Sequence, residues 1–119
     1  MNIKFTNGTE FKYMNALETE EYYNGASRRT LAFECEAGAI SIDELNTLLS
    51  NEANTKSIEL SNGDVTNIYD GYLLKLKCGI EKKLVKEETA ENAAVYADRL
   101  VFKLGKRTYI EEQLKKLGL

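Results

Sequence analysis

Arg28-Arg29-Thr30-Leu31-Ala32-Phe33-Glu34-Cys35-Glu36 alternates between polar and apolar residues. Period-two alternation marks a strand with one face in a core. The spacing predicts a strand over 28–36, with Leu31, Phe33 and Cys35 facing in and Thr30, Ala32 and Glu34 facing out. Just beyond it, Ser41-Ile42-Asp43-Glu44 has the form of a capping box, in which a hydroxyl accepts from a first-turn amide and the glutamate reaches back. Ile42, Leu45, Leu48 and Leu49 then fall on one stripe of a short helix over 42–50. A strand leading into a short capped helix, in a chain rich in further alternating runs, gives an α+β, mainly β class.

Upstream, Ile3 and Phe5 and then Phe11 and Tyr13 flank Thr6-Asn7-Gly8-Thr9, a hairpin signal with strands over 2–6 and 10–14. Residues 15–27 read as a long acidic connection with a turn at Asn24-Gly25 and at most one short strand around 20–23. Downstream, strands are expected at 56–60 and 65–68, separated by Asn62-Gly63-Asp64. A further strand runs over 72–78, with Tyr72, Leu74, Leu76 and Cys78 on one side and Lys75 and Lys77 on the other, continuing past a bulge at Gly79 to residue 86. Within 93–104, Tyr96, Leu100, Phe102 and Leu104 share one side, opposite Arg99 and Lys103. Thr108-Tyr109-Ile110-Glu111 is a second capping box. It opens a helix over 108–117 with Ile110, Leu114 and Leu117 in one stripe and Glu111–Lys115 and Glu112–Lys116 in favourable i,i+4 order. The expected architecture is a single domain over 1–119. It is a curved antiparallel sheet or small barrel of about six or seven strands, with two short helices, the second C-terminal, packed against one face or end.

A chain of 119 residues buries about two-thirds of its surface on folding, enough for a core without disulfide or metal. It contains no His, Trp or Pro. Without His it lacks the usual general base and metal ligand, which argues against most catalytic functions. No catalytic, metal or cofactor site is expected, and the chain reads as not an enzyme. Its 16 basic and 19 acidic residues have the wrong balance for a nucleic-acid binder. The acidic excess lies in residues 1–60 and a slight basic excess in the remainder, a two-sided surface suited to head-to-tail contact between copies. Asn62-Gly63-Asp64 and Asp70 lack the spacing of a calcium loop, and no glycine loop of the phosphate-cradling kind occurs. Glu18, Glu20 and Glu21, and Glu87 and Glu88, read as solvated carboxylates rather than as an acid–base pair across a cleft. Cys35 and Cys78 sit in alternating apolar runs and read as reduced core thiols. No signal-peptide pattern opens the chain and no apolar run is long enough for a spanning helix, so a cytoplasmic, soluble product with no membrane partner is expected.

Tyrosine is the principal aromatic, with seven residues, and it is enriched at interfaces because its ring is apolar and its hydroxyl tolerates water. Adjacent Tyr22 and Tyr23 cannot both point inward from a strand, so at least one faces solvent or a partner. Arg28 and Arg29 form a basic pair that blunts a sheet edge or meets a partner. Tyr22, Tyr23, Tyr109, Arg28 and Arg29 are therefore the candidate interaction residues, and contact is expected through a sheet edge or a helix face, the terminal helix over 108–117 among the contacts.

Three stretches carry a resemblance: IKFTNGTEF at 3–11, RRTLAFE at 28–34 followed by SIDELNTLLS at 41–50, and LVFKLGKRTYIEEQLKKLG at 100–118. Covering about half the chain, they resemble small proteins encoded in the tail or late structural modules of Gram-positive siphophages and prophages. The resemblance implies a structural or accessory role in a virion, with homo-oligomeric or protein–protein contacts. It carries no catalytic residues to transfer. The expected function is thus a non-enzymatic interaction or structural module, associated with a virion. The alternatives are a small phage or bacterial regulator that inhibits a host protein, and a ligand-binding or enzymatic curved-sheet domain with a pocket of convergent polar groups.

Overall fold

The computed structural model describes residues 1–118. Its elements are β1 (Asn2–Lys4), β2 (Glu10–Lys12), β3 (Asn15–Tyr23), β4 (Ala26–Glu36), α1 (Ile42–Leu49), β5 (Ser57–Asn62), β6 (Val65–Asp70), β7 (Leu74–Lys86), β8 (Val95–Gly105) and α2 (Tyr109–Lys116), with a 3-10 turn at Glu52–Thr55. Strands β2-β1-β5-β6 form one sheet and β3-β4-β8-β7 another, and every pairing is antiparallel. The mainly β, antiparallel class with two short helices holds, and the sheets do not close into a barrel. The strands divide between two sheets instead of forming one. Alternation shows which face of a strand is buried, and it says nothing about which strands share a ladder.

The core lies between the sheets. Ile3, Phe5, Phe11, Ile58 and Leu60 contribute from the first sheet and its β1–β2 loop, and Leu31, Phe33, Cys35, Leu100, Phe102 and Leu104 from the second. Phe102 stacks on Phe33 at 4.6 Å between ring centroids and meets Phe11 edge-on at 6.2 Å, so it joins the two sheets. Helix α1 adds Leu45, Leu48 and Leu49, and its Ser41 hydroxyl accepts from the Glu44 amide at 3.1 Å; this is the first half of the expected capping box, and the Glu44 carboxylate does not reach back to the Ser41 amide.

Four expectations are corrected. The short strand expected around 20–23 is part of a nine-residue strand over 15–23 that replaces the expected connection, joined to β4 through Asn24 and Gly25. Both turn residues have positive φ, 48° and 86°, the conformation a type I′ hairpin turn requires. Strand β3 escapes a periodicity reading because it is an edge strand and buries none of its residues. Thr30 is buried, not outward in water, with its hydroxyl donating to the Arg28 carbonyl at 3.0 Å. The β7 ladder also shifts register at Val85, and the bulge nearest the expected one falls at Leu76, not at Gly79, which pairs in register with Val101. It lays Leu76 against Gly105, where a Cβ would stand 2.7 Å from a Leu76 methyl, so the absence of a side chain at 105 makes the room. Finally, α2 buries none of its residues, and its apolar stripe packs on neither sheet.

The molecule measures 62 × 33 × 27 Å, with a radius of gyration of 16.3 Å, against roughly 13.5 Å for a compact chain of this length. The elongation comes partly from β7 and β8, which continue as a two-stranded ribbon after β4 ends opposite Arg99. Leu84, Val85 and Tyr96 on this ribbon, and Ile80 just before it, are each at least half exposed.

Core and ribbon should therefore respond differently to truncation. Phe102→Ala is expected to destabilise the protein by about 3–5 kcal/mol, and Leu84→Ala by no more than about 0.5 kcal/mol, in urea unfolding followed by circular dichroism. Equal losses would show that the ribbon belongs to the core.

Candidate interaction surface

One end of the molecule is organised by Arg28, whose residue is 2% exposed. Its β4 position points away from the main core, into the junction of the β3–β4 turn, the exit of β8 and the start of α2. All five guanidinium N–H donors are used. Nε donates to the Tyr23 carbonyl at 2.8 Å and Nη1 to the Lys106 carbonyl at 3.1 Å. Nη2 donates to the Asn24 carbonyl at 3.3 Å and to Glu111 Oε2 at 2.8 Å, while Nη1 also reaches Glu111 Oε1. A buried guanidinium is tolerated when its fork meets a carboxylate in parallel and its other protons find carbonyls. Glu111 also completes the capping box: Oε1 accepts from the Thr108 amide at 2.8 Å, and the Thr108 hydroxyl accepts from the Glu111 amide at 3.3 Å. The hydrogen bond from Arg28 and then that from the Thr108 backbone hold the Glu111 carboxyl down at about 2. Arg107 adds ion pairs to Glu52 and, at 3.9 Å, to Glu112.

The Glu111 side of α2 is thus pinned. The stripe of Ile110, Leu114 and Leu117 is centred about a quarter turn away, and it faces water, with Ile110 69% and Leu117 74% exposed. Tyr109, in the first turn, is 77% exposed. On the adjoining hairpin, Tyr22 and Tyr23 lie on opposite faces of β3, and neither is buried: Tyr22 is 77% exposed and Tyr23 about half that. The three candidate tyrosines therefore surround the Arg28 junction. Arg29 is exposed and pairs with Glu18 at 3.2 Å. Arg28 itself is taken up by internal bonds and presents nothing to a partner. The neighbouring carboxylates are also engaged, Glu20 with the Ser27 hydroxyl at 3.4 Å and Glu21 with Lys103 at 2.7 Å.

Sequence reasoning named the terminal helix among the contacts but did not single out Ile110, Leu114, Leu117 or Glu111 on it. The apolar stripe and the capping glutamate were visible, but a stripe looks alike whether its own sheet or another molecule covers it.

Elsewhere, Cys35 and Cys78 are free thiols, and burial pushes both up, Cys35 to about 12. They sit on β4 and β7, the two neighbours of β8. Two strand spacings amount to about 9.5 Å, beyond the reach of a disulfide at about 7 Å. An open cleft of about 630 Å³ beside β2 is lined by Met1, Phe11, Tyr13 and Met14 together with Glu10 and Glu36. Among the described residues no three of His, Cys, Asp and Glu gather so as to hold a metal ion, and no helix is long and apolar enough to cross a membrane. Compared with protein-family models, with curated proteins and with solved structures, the chain matches none.

The junction generates a pH prediction. Glu111 sits below its ordinary value of 4.5 when folded, so it adds stability above that pH. That contribution is lost as pH falls from about 4.5 towards about 2. The amide chemical shifts of residues 108–112 should report α2 loosening over that range, and Glu111→Gln should remove the step. Glu81, also held at about 2 by Lys77 and Lys83, lies on β7 and does not contribute to this signal. Arg28→Met is expected to cost about 1–3 kcal/mol, since three backbone carbonyls and the carboxylate lose their donor. A step that survives in Glu111→Gln would refute the assignment.

Proposed function

We propose that this chain is a non-catalytic protein-interaction module that serves as a structural part of a larger assembly, with the α2 end as its contact surface. One observation carries the reading: α2 is pinned by its polar side and turns its apolar stripe to water. An eight-residue helix is unstable alone, and here the capping box and Arg28 hold it in place. A helix preorganised with its apolar face outward binds a groove or sheet at lower entropic cost than a helix that must form on contact. Tyr22, Tyr23 and Tyr109 extend the same end with the residue type most suited to contacts that are wet at the rim.

The resemblance to tail-module proteins points the assembly towards a virion, the chain being made in the cytoplasm and then incorporated. The test is a tagged chain followed through a density gradient after prophage induction in its source cell. Wild-type chain is expected in the particle fractions, and the Tyr22→Ser/Tyr23→Ser/Tyr109→Ser variant at a level at least tenfold lower. Wild-type chain confined to light fractions, in a stoichiometric complex with one cellular protein, would overturn the virion role in favour of the regulatory alternative. Equal particle levels for variant and wild type would overturn the assigned surface.

A further inference from the structure

Each sheet ends in two edge strands, β2 and β6 in the first, β3 and β7 in the second. An edge shows a row of unpaired N–H and C=O groups, and proteins blunt such rows with short strands, charges or bulges. Three of these edges are blunted. Strand β2 is three residues long, with Glu10 and Lys12 around Phe11. Strand β3 carries three glutamates, and β7 carries five lysines and two register shifts. Strand β6 differs. Its six residues, Val65-Thr66-Asn67-Ile68-Tyr69-Asp70, pair with β5 in unbroken register and are uncharged up to the last. Val65 and Ile68 are each 60% exposed. The two-residue turn Gly63-Asp64 makes Asn62 and Val65 a hydrogen-bonded pair. At the other end the Gly71 amide donates to the Lys56 carbonyl at 3.0 Å. The odd-numbered residues of β6 therefore bond to β5, and Thr66, Ile68 and Asp70 turn their main-chain groups outward.

We propose that β6 is a second contact surface, separate from α2, and that it pairs antiparallel with β6 of a second copy about a two-fold axis through Ile68. The strand is its own complement, because its outward residues are symmetric about that position. Ile68 faces Ile68 of the other copy, and Thr66 faces Asp70 on either side, which makes about six main-chain hydrogen bonds. Charge permits the second copy and picks its register. Centring the pair on Asn67 would set Asp64 against Asp70, and like charges directly opposite are unfavourable. Centring it on Tyr69 leaves Thr66 beyond the end of the facing strand. In the Ile68 register no charge stands directly opposite a like charge. Glu59, which shares the Ile68 face, lies about 14 Å from its counterpart across three strand spacings. That is beyond the ~8 Å over which exposed charges act at physiological salt. Strands β3 and β7 cannot repeat the arrangement, since each would set its own charges against themselves. The contact uses the same patch on both copies, so it closes at a dimer, with one sheet running through both.

Light scattering coupled to size exclusion tests this over a concentration series, on the full chain and on its Ile68→Lys and Ile68→Glu variants. Position 68 is exposed, and circular dichroism confirms that each variant folds. Wild type is expected to pass from monomer to dimer. Each variant alone sets a charge against itself across the axis, and should stay a monomer at concentrations about tenfold or more above the wild-type midpoint. An equimolar mixture of the two variants should dimerise again, because opposite charges then face each other, and they do so only in the register centred on residue 68. In the wild-type dimer, hydrogen exchange at the Thr66, Ile68 and Asp70 amides should slow by about tenfold or more, with exchange in α2 unchanged. A wild type that is monomeric throughout overturns the second copy and leaves the edge to a strand of another protein. A dimer that both variants keep, a mixture that stays monomeric, or a dimer in which those amides exchange freely each overturns the pairing. Neither variant touches α2, so these results are independent of the surface that the density gradient tests.

Discussion

A single buried guanidinium decides how α2 is held at the end of β8. Arg28 gathers the β3–β4 turn, the end of β8 and the first turn of α2 around five donors. Without it, α2 would be a short helix attached at one point, free to fold its apolar stripe back onto the nearest sheet. With it, the helix has one orientation, and the orientation exposes Ile110 and Leu117. The charge is tolerated because Glu111, which the helix already needs as its cap, supplies the counter-charge. One carboxylate closes the helix end and neutralises the interior arginine.

The core behind this junction is conventional by comparison. Phe102 touches an aromatic ring in each sheet, and α1 closes the remaining gap with three leucines. The second sheet is longer than the first, and its surplus length becomes the ribbon. Function is sought at the extremities because the middle is satisfied: both cysteines are free and raised by burial, and the carboxylates Glu18, Glu20 and Glu21 are occupied by neighbours.

How much of this could be read beforehand depended on the range of the interaction. The Thr108–Glu111 box was legible because both partners lie within four residues, and β4 was legible because Leu31, Phe33 and Cys35 alternate. Strand β3 was legible only as a short segment at 20–23 beside its Asn24-Gly25 turn, since an edge strand with neither face buried carries no apolar period. The bulge was placed three residues late because glycine at 79 is a general signal, whereas the actual cause is the space over Gly105, 29 positions downstream of Leu76. Arg28 looked like a surface charge because the carboxylate that buries it lies 83 positions away. The candidate surface was half legible: the tyrosines and the terminal helix were named as contacts, but the helix stripe was expected to pack against its own sheet.

The position of β8 also has a mechanical consequence. One end leads to α2 and the other lies in the ribbon; β7 is bonded to it along its whole length, and β4 over residues 99–105. A pull between those two ends runs along the strands, while the ladder hydrogen bonds lie across them. The rungs are then loaded in shear and share the tension together, instead of opening one after another like a zipper. The strand acts as a tendon through the body of the protein, and the stiffness of the whole lies in the element that sequence periodicity marks clearly.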